Sequence, residues 1–204
     1  AELNDDVAAF RLLEDRARIE GMNQELADTL FYGNEGTEPE AFTGLAPRFN
    51  SLSASVANST NIINGASADT DNGSIWLVVW GPNTVHGIVP KGSKAGLQMT
   101  DKGLVTIQDT VGGTQGRMEG YLSHYPWKAG LTLKDWRYVV RIANIEKSAL
   151  TKDAATGPDL PSLMFRAMRK IPNLSFGRPA FYMSRDMATW LGEQTANLTK
   201  NSTL

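Results

Sequence analysis

Two histidines, His86 and His124, are the only imidazoles in the chain, so any serine–histidine–acid machinery would have to use one of them. His86 follows a turn and stands near Thr84 and Ser93, while His124 falls on the polar side of an extended run. No G-x-S-x-G nucleophile elbow accompanies either. Gly87–Lys94 superficially resembles a phosphate loop, with Lys91, Ser93 and Lys94 among glycines. The G-x-x-x-x-G-K-[ST] order that converges backbone amides and a lysine on phosphate is missing. Gly92 is followed by Ser93, and Pro90 removes an amide. No G-x-G-x-x-G marks a dinucleotide site, and no H-x-x-x-H marks a metal. The acidic clusters Asp5-Asp6, Glu14-Asp15 and Asp69/Asp71 read as solvated surface. The expectation is no catalytic, cofactor-binding or metal-binding residue, with a hydrolase using His86 or His124 as a remote alternative.

The elements that would position these residues follow from periodicity. Glu2–Leu30 lacks proline and places Leu3, Val7, Phe10, Leu13 and Ala17 at three- and four-residue steps, continued by Met22, Leu26 and Leu30. This predicts one long amphipathic helix of ~43 Å covering a sheet, with Gly21 as a point of bending. The stripe slips at Gly21, which disfavours a coiled coil. From Tyr32 to Gly73, glycines, prolines and small polar residues predict loop structure, with Asn58–Gly73 a mobile surface loop. Ile75–Trp80 is apolar without alternation and ends at Gly81-Pro82-Asn83, as a strand buried on both faces would. Leu104–Ile107 and Met118–Tyr121 flank Gly112-Gly113 and should pair.

Tyr121–Leu133 alternates with period two, predicting a single strand of ~43 Å with Pro126 at an edge or bulge. A second strand is expected over Trp136–Ile142. Trp136, Tyr138, Val140 and Ile142 would share one face, and Arg137 and Arg141 the other with Val139. Asp159 is a plausible N-cap for a helix through Ile171, stopped by Pro172. Ala180–Met183 reads as a short strand, and Ser184 as the cap of a helix Arg185–Ala196. NLTKNSTL reads as the entry to a further strand, so the chain is expected to stop in mid-fold.

Composition narrows the function classes. The 204 residues suffice for a substantial core, and 41% hydrophobic with 21% charged residues is ordinary for a globular chain. A net charge of −2 offers no general attraction to nucleic acid or anionic membrane. The absence of cysteine excludes disulfides, thiol catalysis and sulfur-ligated zinc, and fits assembly in a reducing cytoplasm. No apolar run is long enough to span a bilayer, and the acidic start is unlike a signal peptide. Glycosylation sequons beginning at Asn58, Asn72, Asn197 and Asn201 are read as chance. The five tryptophans read as core rather than as a stacking platform, since Trp76, Trp80, Trp127 and Trp136 fall on apolar strand faces. A ~43 Å helix and a ~43 Å strand exceed a compact sphere whose radius of gyration would be ~17 Å, and elements of that length invite tiling by neighbours.

Four runs carry a family likeness: FYGN at Phe31–Asn34, FTGLAPRFNSL at Phe42–Leu52, SIWLVVWGPNTVHGIVPKGSKAGL at Ser74–Leu97 and DWRYVVRIANI at Asp135–Ile145. In this order they resemble the major capsid proteins of short-tailed and related double-stranded-DNA bacteriophages and prophages. The resemblance implies an α+β Hong Kong 97-type coat fold. Residues 1–30 would be the spine helix of the peripheral domain. Residues 31–103 would be loops and buried strands linking peripheral and axial domains. Residues 104–150 would form the long-stranded peripheral sheet, and 151–204 the axial helix–strand–helix. The hairpin would precede the axial elements, a rearranged chain order, and the N-terminal arm, extended loop and closing strands would be missing.

The same likeness implies a structural protein without turnover, assembled in the bacterial cytoplasm and resident in the virion capsid. It would form pentamers and hexamers that close into an icosahedral shell. Portal, scaffold or decoration proteins would be partners, with packaged DNA contacted nonspecifically and no membrane involved. Arg137 and Arg141 are candidates for intersubunit ion pairs. An encapsulin-like compartment shell of the same fold is the alternative.

Overall fold

The computed structural model describes residues 7–67, 69–108 and 116–201. Among these, the order is α1 (Val7–Tyr32), β1 (Ile62–Asn64), β2 (Asn72–Trp80), β3 (Val85–Ile88), β4 (Thr100–Gln108), β5 (Arg117–His124), β6 (Gly130–Leu133), β7 (Val139–Glu146), α2 (Leu160–Lys170), β8 (Arg178–Tyr182) and α3 (Arg185–Asn201). Short 3-10 turns fall at Ala57–Asn61, Trp136–Tyr138 and Leu174–Phe176. The chain divides into two compact units, residues 1–86 with 131–204, and residues 87–130.

The first unit is built on a six-stranded mixed sheet with path β1-β7-β2-β3-β6, and β8 also pairs with β2. β2 runs antiparallel to both β7 and β8, and β1 runs parallel to β7. This central placement explains the uninterrupted apolar run. Ile75, Leu77 and Val79 enter a core shared with Val140, Ile142 and the inner faces of α2 and α3. Trp76 and Val78 enter a second core with Leu45, Phe49, Val85 and Val139. Both faces are covered, so successive side chains of β2 must all be apolar.

Several expected elements form for local reasons. Asp159 Oδ1 accepts from the Ser162 amide at 3.0 Å and starts α2. Ser184 Oγ accepts from the Met187 amide at 3.3 Å and starts α3. β4 and β5 pair antiparallel, with Leu104 opposite Tyr121 and Ile107 opposite Met118. The Gly112-Gly113 turn expected between them lies outside the described residues.

Five expectations are corrected. Asn58–Gly73 is not a surface loop throughout: Asn61, Ile62 and Ile63 are buried, and β1 pairs with β7. Asn61 Nδ2 donates to the carbonyls of Arg137 and Val139, each at 3.0 Å, which fixes a polar segment inside the fold. The single strand Tyr121–Leu133 is two: β5 belongs to the β4–β5 hairpin and β6 to the six-stranded sheet. Pro126 cannot donate to a ladder, and regular pairing gives way there to a lone antiparallel bridge between Leu97 and Trp127, with the Gln98 amide donating to the Pro126 carbonyl at 3.2 Å. The long-stranded sheet expected over 104–150 is accordingly realised in two separate sheets. Trp136 does not share a face with Tyr138, because the 3-10 turn over Trp136–Tyr138 breaks the period; Trp136 packs on the Trp76 core and Tyr138 on the opposite one. Asn197–Asn201 continues α3 rather than opening a strand.

The fifth correction concerns α1. Its 26 residues span ~39 Å, close to expectation, and the expected start before Val7 lies outside the described residues. The shielded stripe, however, is Arg11, Asp15, Ile19, Met22 and Leu26. Phe10, Leu13 and Ala17, read as the covering face, are exposed.

Candidate functional site

The family-marker runs converge on the first unit's second core, and two glycines show why. Gly33 follows α1, and its amide donates to the Thr29 carbonyl at 3.0 Å. A Cβ at Gly33 would come within 2.6 Å of the carbonyl oxygens of Thr29 and Phe42, and one at Gly44 within 2.6 Å of that of Thr29. The two backbone segments touch there, with the Gly44 amide donating to the Gly33 carbonyl at 2.8 Å. This junction aims Leu45 and Phe49, both fully buried, at Trp76. Phe31 joins the cluster 5.9 Å from Trp76 and 5.1 Å from Tyr182, ring centre to ring centre.

The turn after β2 is similarly structural. Thr84 is fully buried and its hydroxyl donates to the Val79 carbonyl at 2.7 Å. The Gly81 amide donates to the Val85 carbonyl, and Lys134 Nζ to the Pro82 carbonyl at 2.7 Å.

Arg141 completes the marker cluster. Its guanidinium lies 5.2 Å from the Trp76 ring centre, a cation–π placement. It donates to the Phe49 carbonyl at 2.8 Å and to Ser74 Oγ at 3.2 and 3.3 Å. Burial pushes the Arg141 pKa below its ordinary value. One side chain therefore ties the Phe42–Leu52 loop to β2 and β7.

The whole chain, residues 1–204, matches the family described as Major capsid protein GP7. This chain belongs to that family. It is also similar to a chain in the near-atomic cryo-EM structure of bacteriophage Epsilon15, with 35% identity and a TM-score of 0.66. That likeness covers 94% of this chain and 57% of the Epsilon15 chain, so this chain spans little more than half its length. No curated protein matches.

The capsid-family chain has the α+β, Hong Kong 97-type fold that the marker runs imply. Its hairpin precedes α2, β8 and α3 in chain order. Family membership makes it a structural protein and disfavours the compartment-shell and hydrolase readings.

The sequence-derived candidates can now be placed. Arg137 is exposed and forms a two-pronged pair with Asp135, at 2.7 Å between Nη2 and Oδ2 and 3.0 Å between Nε and Oδ1. The hydrogen bonds from Arg137 hold the Asp135 carboxyl below its usual value, and the same pairing raises Arg137. Arg141 lies inside the subunit as described. His86 is on β3 with Nδ1 buried and without a hydrogen-bond partner, while His124 is exposed at the end of β5, opposite Thr100. Lys91, Ser93 and Lys94 lie in a turn where the Ser93 amide donates to the Pro90 carbonyl. No set of three His, Asp or Glu side chains that could hold a metal occurs among the described residues. No described helix is long and apolar enough to cross a membrane. None of the five tryptophans is exposed, which fits packing rather than stacking.

Sequence reading missed two polar anchors, Asn61 and Gln194. Gln194 is fully buried on α3; its Oε1 accepts from the Leu160 amide, and its Nε2 donates to the carbonyls of Thr151 and Pro158. Nothing in the local sequence marks either residue, because their partners lie more than thirty positions away. A cleft of about 930 Å³ also opens beside the last turns of α1, the start of β2 and the β8–α3 junction. Gln24, Asp28, Tyr32, Lys147, Met183 and Arg185 are among its lining residues. Lys147 pairs with Asp71 at 3.2 Å.

Proposed function

We propose that this chain is the shell-forming part of a phage coat subunit, which assembles into pentamers and hexamers and closes as an icosahedral capsid around double-stranded DNA. The observation that carries this reading is the family match over all 204 residues. Its physical basis is multivalence: each contact between copies can be weak, and closure of many makes the shell stable. Packaged DNA would meet the inner surface through nonspecific phosphate contacts. Portal, scaffold and decoration proteins are the remaining partners of this reading.

The proposed domain roles stay with the element order: α1 as the spine of the peripheral domain, residues 31–103 as the link, 104–150 as peripheral strands, and 151–204 as axial elements. Both arginines proposed for intersubunit pairing make hydrogen bonds within the subunit; Arg137 is the better placed of the two, since its pair with Asp135 lies at the surface whereas Arg141 is held against Phe49, Ser74 and Trp76. Sedimentation and electron microscopy of the full-length protein test the reading. Closed particles or capsomer sheets are expected; a protein that stays monomeric at every concentration and salt condition overturns it.

A further inference from the structure

α1 presents an apolar ridge that no other described residue covers. Phe10 is 44% and Leu13 64% exposed, and Ala17 continues the line one turn on. Their spacing of three and four residues is that of a face written for burial. Glu14 and Glu20, both exposed, border it. The β4–β5 hairpin presents a second bare face. By alternation, Ile107, Met118 and Leu122 point to one side, at 45%, 65% and 45% exposure. Gly120 lies between them, and a Cβ there would come within 2.9 Å of Ile107 Cδ1. A two-stranded hairpin with an uncovered apolar face is marginal in water.

Charge distinguishes the possible occupants of the ridge. Residues 1–40 hold three arginines and eleven acidic residues, a net of −8, whereas residues 41–204 hold 17 basic and 11 acidic residues, a net of +6. Within the latter, residues 87–130 carry five basic and three acidic residues, including Lys102 and Arg117 on the hairpin. A second α1 would bring like charge against the ridge, while the hairpin brings opposite charge and an apolar face together.

We propose that the Phe10–Leu13–Ala17 ridge of α1 docks on the Ile107–Met118–Leu122 face of the hairpin of a second copy of this chain. The contact is heterologous, because each copy gives a helix to one neighbour and a hairpin to another. Such contacts propagate into rings or closed shells. The proposal rests on the shell-forming reading and adds which surfaces meet.

The chain has no cysteine, so Leu13→Cys and Met118→Cys can each be introduced alone and the two proteins mixed before assembly. A 13–118 disulfide formed in the mixture can arise only between copies. It is expected at least about tenfold above a Leu13→Cys and Thr189→Cys mixture. Charge reversal supplies a second measurement. Glu14→Lys with Glu20→Lys in one protein, and Lys102→Glu with Arg117→Glu in another, should each slow assembly by about tenfold at low salt. Mixing the two variants should restore much of it, since a helix of either variant meets a hairpin of opposite charge on the other, completely so where the two alternate around a six-membered ring. Wild-type particles that form with no 13–118 cross-link above control, or charge variants that each assemble alone at the wild-type rate, overturn this docking and leave the shell-forming reading intact. A wild-type protein that forms no particles overturns both.

Discussion

The six-stranded sheet and the β4–β5 hairpin are made of similar residue types and treat them in opposite ways. In β2, Ile75 to Val79 are no more than 2% exposed, because strands flank both edges and a core covers each face. In the hairpin, Leu104, Ile107, Met118, Tyr121 and Leu122 are 45–65% exposed. Two strands supply one layer, and one layer cannot bury both of its faces. The contrast separates two uses of apolar surface: in the sheet it holds the subunit together, and in the hairpin it is available to a neighbour.

The sharpest way to break this contrast is to truncate one side chain in each region. Leu77→Ala should cost about 2–5 kcal/mol of stability, and Ile107→Ala about 0.5 kcal/mol or less in the unassembled protein. Denaturant titration reads both, and equal losses would erase the distinction. Gln194→Ala should follow at about 3 kcal/mol, since it strands the Leu160 amide and the carbonyls of Thr151 and Pro158 in the interior of the sheet unit. Arg141→Met should cost about 2 kcal/mol through the lost charged hydrogen bonds to Phe49 and Ser74. Arg141→Lys should recover little of it, because an ammonium cannot reproduce the planar fork over Trp76. Asp159→Ala removes the α2 cap and should cost about 1 kcal/mol, measured by thermal melting.

The smallest effect is electrostatic. The folded Asp135 carboxyl titrates below its unfolded value. Its contribution is therefore fully present above the ordinary carboxylate range and is lost as pH falls through the lower folded value. Arg137→Gln should move the Asp135 titration up toward that ordinary range, observable in a carboxyl-detected NMR titration. An unmoved midpoint would remove Arg137 as the cause.

Much of the fold can be read locally because its causes are local. Asp159 and Ser184 cap helices through hydrogen bonds three residues long, and the Gly81 amide closes the Gly81-Pro82-Asn83 turn on the Val85 carbonyl four residues on. The candidate site was less readable. The marker runs identified the family, but their physical purpose depends on long-range meetings: Gly33 against Phe42, and Arg141 against Phe49 and Ser74. Alternation across Tyr121–Leu133 misled because a side-chain period persists through a proline that interrupts hydrogen-bonded pairing.

By itself, the sequence determined that helices occupy most of Glu2–Leu30, the segment from the Asp159 cap to Ile171, and Arg185–Ala196, and it determined the doubly buried strand, the hairpin pairing and the capsid family. Periodicity, caps and turn residues act over one or two turns of chain, so no tertiary partner is needed to predict them. Only the tertiary structure decided which apolar faces are covered. A stripe such as Phe10–Leu13–Ala17 states that burial is favourable without naming the surface that provides it. Among the described residues that surface is not provided, and Phe10, Leu13 and Ala17, which periodicity alone assigns to the covering face, are left facing outward.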